Sequence, residues 1–144
     1  MKNYVIDTPR FKLLLRLTSD NLKEDSISDY PEYYDLNINV ECDGFSANMT
    51  LPITLSEISD FSKKLFELYS ELKGTAVLKE YYCDDKWIGF STDSMGHIFV
   101  KGNFYNFSNC HKKELYFENE FDQTYLKVFA HELYTEYVKQ GNRL

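Results

Sequence analysis

Nowhere in the chain do apolar residues run together for the roughly 18 positions a membrane-spanning helix needs, and the opening MKNYVIDTPR is polar and broken by Pro9. Neither a span nor a secretory leader is expected, which predicts a cytoplasmic protein. Cysteine is scarce: Cys42, Cys83 and Cys110 are three, an odd and widely spaced set, and are expected to be buried or inert thiols rather than a disulfide framework. The sequons at Asn48 and Asn106 carry no glycan in that compartment. The six glycines stand singly, so no phosphate-cradling loop exists. The chain also lacks a basic excess. Its 16 Lys and Arg against 23 Asp and Glu give a net charge of −7, which speaks against nucleic acid or an anionic membrane as the main partner and for a basic one.

What is present is enough for one domain over residues 1–144, with 43% apolar residues and 12 Tyr and 11 Phe for an aromatic core. The clearest stretch is DLNINVECDGFSANMTL, from Asp35 to Leu51. Leu36, Ile38, Val40 and Cys42 alternate with polar residues, then Phe45, Ala47, Met49 and Leu51 do the same. Asp43-Gly44 between them favours a two-residue type I′ turn. Counting outward sets Cys42 opposite Phe45, Val40 opposite Ala47, Ile38 opposite Met49 and Leu36 opposite Leu51, with every apolar side chain on one face.

Before this hairpin, Phe11 to Leu17 reads as a strand. After it, Thr54 and Glu57 have capping-box spacing, with Ser56 as the alternative cap, and Ile58, Phe61, Leu65, Leu68 and Leu72 form a helical stripe that Gly74 ends as the C′ residue. Four strands follow: Thr75 to Tyr82, a turn at Asp84-Asp85, Lys86 to Thr92, His97 to Phe107 after the Asp93–Gly96 turn, and Lys113 to Phe121. Asp122 then caps a last helix with Leu126, Phe129, Ala130, Leu133 and Tyr137 inward, ending near Gly141. The order βββαββββα predicts an α+β fold, one curved antiparallel sheet of about seven strands packed against two helices.

Chemistry is hard to find along this chain. His131-Glu132 opens like a zinc-protease helix, but Thr135 stands where the second histidine belongs. Cys110 and His111 are adjacent and rarely could aim at one metal. The three histidines fall in three elements, and no serine has glycine two residues away on both sides, as a nucleophile elbow requires. Glu118 and Glu120 share a strand face, which a solvated surface explains. Phe99, Lys101, Asn103, Tyr105 and Phe107 include too little positive charge for a nucleic-acid stacking platform. No catalytic residue, metal ligand or cofactor is assigned.

One segment stands apart. Ser19 to Asp43 holds eight acids against Lys23, so these 25 residues account for the whole net charge. Within it, Asp29-Tyr30-Pro31-Glu32-Tyr33-Tyr34 interleaves acids with tyrosines around a proline that disfavours helix. Carboxylates steer a basic partner, and tyrosine anchors interfaces at low ordering cost. Asp20, Glu24, Asp25, Asp29, Tyr30, Glu32, Tyr33 and Tyr34 are therefore the candidate partner-binding residues, with Asn37, Asn39 and Asn48 on the hairpin's polar face beside them.

The motif order resembles the WapI-type bacterial immunity proteins. The likeness is carried by Asp43-Gly44-Phe45-Ser46-Ala47, the helix around Leu55, Ile58, Phe61, Leu65 and Leu68, then Leu72-Lys73-Gly74-Thr75-Ala76-Val77-Leu78. Leu115-Tyr116-Phe117 and Phe121-Asp122-Gln123-Thr124-Tyr125-Leu126 complete it, so that it spans Asp35 to Tyr137. The resemblance implies a non-enzymatic cytosolic protein that binds and blocks the toxic C-terminal domain of a contact-delivered polymorphic toxin, commonly a nuclease. The alternative is a small-ligand-binding domain or hydrolase with an aromatic pocket between sheet and helices.

Overall fold

Period-two alternation builds two separate sheets, and a helix carries the chain from one to the other. The computed structural model describes residues 2–18, 33–80 and 83–140. The first sheet contains β1 (Asn3–Asp7), β2 (Phe11–Thr18), β3 (Tyr34–Cys42) and β4 (Phe45–Ile53), each antiparallel to the next. Helix α1 (Leu55–Glu71) leads to β5 (Thr75–Glu80), β6 (Cys83–Thr92), β7 (His97–Ser108) and β8 (His111–Asp122), again in sequential antiparallel order. A 3₁₀ turn (Gln123–Tyr125), helix α2 (Lys127–Tyr134) and a π-helical turn (Thr135–Lys139) follow.

The α+β class is as expected, but the single curved sheet of about seven strands is replaced by two sheets of four. Two causes account for the difference. Tyr4 and Ile6 point inward from β1, a strand too short for its alternation to stand out before it pairs with β2. Also, β4 lies near β5 and β7 without forming a ladder with either, because α1 intervenes and delivers the chain to a different layer.

The central hairpin pairs as its sequence dictates: Leu36 faces Leu51, Ile38 faces Met49, Val40 faces Ala47 and Cys42 faces Phe45. Asp43 and Gly44 both take positive φ, 45° and 91°, as a type I′ turn requires. The inward row is buried as far as Val40 and Met49, but Phe45 is 66% exposed because the hairpin tip extends beyond the layer that would cover it. Cys42 is half-buried there, and Asn119 Nδ2 of β8 donates to its sulfur at 3.0 Å.

Of the two candidate caps, Thr54 rather than Ser56 caps α1, its hydroxyl oxygen accepting from the Glu57 N–H at 3.1 Å. Ile58, Phe61, Leu65 and Leu68 are buried, and Ser62 sits among them because its Oγ donates to the Ile58 carbonyl at 2.7 Å. Leu72, rather than Gly74, takes the left-handed conformation that ends the helix, with φ 53° and its N–H on the Leu68 carbonyl. The stripe and the second sheet meet through aromatic rings. Phe61 packs on Phe90 at 6.1 Å, and Phe90 on Phe129 of α2 at 6.3 Å. Phe11 of the first sheet stacks on Phe121 at 5.9 Å and on Phe117 at 6.2 Å, joining the two sheets.

Three further expectations change. Asp84 and Asp85 belong to β6 rather than to a turn. The ladder jumps from Lys79 opposite Trp87 to Glu80 opposite Cys83, leaving residues 84–86 bulged, and Lys79 Nζ meets Asp84 Oδ1 at 2.6 Å. Cys110 is exposed, not buried, because Asn109-Cys110 is the β7–β8 turn, with φ 54° and 63°. The last helix widens to π geometry at its end, where the Gln140 N–H reaches the Thr135 carbonyl at 3.2 Å. Tyr137 meets Tyr4 of β1 from its expected inward side, with rings 5.9 Å apart and hydroxyls 3.4 Å apart, and burial raises the Tyr4 phenol above its ordinary pKa. The expected strand end at Tyr82 and helix end at Gly141 lie outside the described residues.

Candidate partner-binding face

The residues of the first sheet that alternate with the core residues form its outer face, and the register arranges them in rows. One row runs Asn3, Arg16, Asn37, Thr50, and the next Val5, Leu14, Asn39, Asn48. Arg16 Nε donates to Asn3 Oδ1 at 3.0 Å, and Thr50 Oγ1 donates to Asn37 Oδ1 at 2.8 Å. These bonds hold long polar side chains flat across the strands, so the face is a preformed amide-rich surface rather than a set of loose chains. Beside Asn39, Val5 and Leu14 leave a shallow apolar depression of about 430 Å³ edged by Asp7, Lys12 and Glu41.

Asn37 and Asn39 thus share this face, and Asn48 sits opposite Asn39. Tyr33 is 38% exposed at the end of the sheet where β3 begins. Tyr34 is half-buried, faces Ile53 and packs against the core. Asp20, Glu24, Asp25, Asp29, Tyr30 and Glu32 lie outside the described residues. They belong to the connection between Thr18 and Tyr34, and β2 and β3 meet at that end through Thr18 Oγ1, which donates to the Asp35 carbonyl at 3.2 Å. Sequence reading missed Asn3, Arg16, Val5 and Leu14 as members of the face, whereas Thr50 already belonged to the hairpin's expected polar side. The polar positions of β2 and the short alternation of β1 were the available signal.

Among the described residues, no group of three or more His, Cys, Asp or Glu is placed to hold a metal. His131 lies edge-on between Phe66 and Tyr69, at 5.2 and 5.6 Å. His97 contacts Asp93 at 2.6 Å, and Asp93 Oδ1 also accepts from the Met95 and His97 N–H groups, so this pair closes a turn. The hydrogen bond to Asp93 raises the His97 pKa above 6.5, and the same bond lowers that of Asp93. Glu118 and Glu120 are exposed on β8, where Tyr116 Oη donates to Glu118 Oε1 at 2.6 Å.

A second depression, about 570 Å³, opens between β4 and the β7–β8 hairpin and is lined mainly by polar residues such as Asn48, Thr50, Lys86 and Asn106. A third, about 460 Å³, lies between α1 and β5. Glu80 borders it, its Oε2 unbonded and 3.6 Å from Lys86 Nζ. The buried rings described above pack against one another, Phe11 on Phe121 and Phe90 on Phe61 and Phe129. No helix among the described residues is long and apolar enough to cross a membrane.

Compared with curated proteins, the chain shows no match. A family model covers nearly all of the architecture just described, from Leu13 in β2 through the π-helical turn that brings Tyr137 to Tyr4. Matching that model over residues 13–140, the chain belongs to the immunity protein WapI-like family.

Proposed function

We propose that the chain acts as one immunity domain over residues 1–144, binding a cognate toxin domain in the cytoplasm and blocking it without catalysing a reaction. The contact comprises the acidic, tyrosine-rich segment Asp20 to Tyr34 and the adjoining polar face with Asn37, Asn39 and Asn48. The observation that carries this reading is the concentration of the whole −7 charge within Ser19 to Asp43, in a member of an immunity family. A toxin that cleaves nucleic acid needs a basic surface to hold phosphates, and an acidic inhibitor competes for that surface. The hydrogen bond between Thr50 and Asn37 holds part of the polar face in place, which lowers the ordering cost of association. A C-terminal toxin domain of a contact-delivered polymorphic toxin, with nuclease activity, is the partner that fits this charge.

The test is co-purification with the protein encoded immediately upstream, followed by exchange of Asp20, Glu24, Asp25 and Asp29 for serine. Association at low salt should slow by roughly one to two orders of magnitude, and the difference should shrink as salt rises. Unchanged affinity together with unchanged salt dependence would refute the assignment of the segment.

A further inference from the structure

The second sheet ends in an edge that nothing among the described residues pairs with. β8 is 12 residues long, and its hairpin with β7 closes through Asn109-Cys110 with Ser108 facing His111. In a two-residue hairpin the pair flanking the turn is hydrogen-bonded, and bonded pairs then alternate along the ladder. The odd-numbered residues from His111 to Phe121 therefore bond to β7. The even-numbered ones aim their N–H and C=O groups at the open edge. Asn119 Oδ1 accepts the Glu120 N–H at 2.8 Å, which closes one of these positions. No partner among the described residues takes the N–H groups of Lys112, Glu114, Tyr116 and Glu118. The opposite edge of this sheet, β5, is instead packed along α1 and close to β4.

The side chains of the same even-numbered residues line the outer face along this edge: Lys112, Glu114, Tyr116, Glu118, Glu120 and Asp122, four acids and one base. Lys112 is already engaged by Glu114 at 3.1 Å, and Lys101 stands 3.9 Å from Glu118. Tyr116 is 53% exposed and lies 6.4 Å from Trp87, so the row has an aromatic centre. This pattern selects the occupant. A second copy of β8 pairing about Tyr116 would set Glu114 opposite Glu118 twice, and pairing about Glu118 would set that carboxylate opposite its own copy; the register that sets Lys112 opposite Glu118 avoids both but leaves Glu114, Glu120 and Asp122 without a cation. Like charges directly opposite each other destabilise a ladder. A strand with lysine or arginine at alternate positions meets carboxylates instead.

We propose that β8 is a docking edge for an extended basic segment of a partner protein, which joins the second sheet as a fifth strand. Main-chain bonds to Lys112, Glu114, Tyr116 and Glu118 supply the pairing, and the carboxylates with the Tyr116 ring supply the selection. The inference concerns the other sheet and stands independently of the Asp20 to Tyr34 segment.

The experiment titrates the full chain with a short fluorescein-labelled peptide alternating lysine with valine or threonine, read by anisotropy. Three arms accompany it: the same peptide N-methylated at alternate amides, the variant Glu118→Pro, and the variant E118K/E120K. Proline removes one outward N–H at a position where an edge strand tolerates it, and thermal melts verify the fold. N-methylation tests the same bonds without altering the protein. Binding should weaken about tenfold or more in each arm, the scale of one or two lost hydrogen bonds or charge contacts. In salt high enough to screen long-range attraction, the variant with serine at Asp20, Glu24, Asp25 and Asp29 should bind the peptide as the unaltered chain does in the same buffer, which separates this edge from the acidic segment. Absence of binding, equal binding of the N-methylated peptide, or loss of binding in that serine variant would each overturn the proposal.

Discussion

Replacing Gly102 by alanine probes the joint between the two sheets. Gly102 and Phe117 are opposite one another on the inner face of β7 and β8, and the Phe117 ring lies over the glycine. A Cβ at residue 102 would stand 2.5 Å from Phe117 Cζ, 2.6 Å from Cε1 and 3.1 Å from the Trp87 carbonyl oxygen. The ring cannot simply swing aside, since it also meets Phe104 edge-on at 5.4 Å and Phe11 at 6.2 Å. Overpacking of this kind costs about 1–3 kcal/mol, and disturbing the ring contacts adds about 0.5–1.5 kcal/mol. Loss of glycine's freedom in the unfolded chain returns about 0.4–1 kcal/mol. The net expectation is a destabilisation of roughly 1–3 kcal/mol, or a fall in Tm of roughly 3–9 °C for a chain of this size. Urea unfolding should show a lower midpoint with an unchanged slope. The double variant Gly102→Ala/Phe117→Leu should recover part of the loss, giving a coupling energy of at least about 0.5 kcal/mol. A neutral or stabilising Gly102→Ala, or strict additivity in the double variant, would refute the idea that this glycine exists to seat the ring.

Two other outcomes are expected. Phe129→Ala should cost about 3–5 kcal/mol in the same unfolding assay, because the fully buried ring bridges α2 to Phe90 and leaves a cavity when removed. His97 should titrate above 6.5 by NMR and move back towards that value in Asp93→Asn, since the hydrogen bond to Asp93 raises it. The sign follows from the raised folded pKa: the contribution of this pair is complete below the unfolded value near 6.5 and is lost as pH climbs through the folded one. An unshifted His97, or one that does not respond to Asp93→Asn, would contradict the observed contact.

The most legible parts of the fold were those governed by local rules. In the β3–β4 hairpin, alternation and the Asp43-Gly44 turn each point to the same register, so every residue pair could be counted from sequence. The capping of α1 by Thr54 and the inward stripe of α2 follow in the same way. Division into two sheets was not legible, because hairpin links reveal which strands are neighbours but not whether β4 and β5 share a ladder across a 17-residue helix. Phe45 shows a related limit: alternation fixes the side on which a residue points, while the extent of the opposing layer decides whether it is covered. The role of Gly102 depends on its cross-strand partner, which is 15 positions away in sequence and specified only by the β7–β8 register. For the candidate face, Asn37 and Asn39 were readable as outward residues. The row neighbours Asn3 and Arg16 of Asn37, and Val5 and Leu14 of Asn39, required the pairing of β1 with β2 and β2 with β3.

The π-helical turn at residues 135–139 behaves like a helix into which one residue has been slipped. Each such insertion advances the chain without completing a regular turn, so every side chain after it is rotated relative to those before. Tyr137, four positions after Leu133, stays on the inward side within that turn and meets Tyr4 there. The contact spans 133 positions of sequence, so the first strand and the last helical turn steady one another.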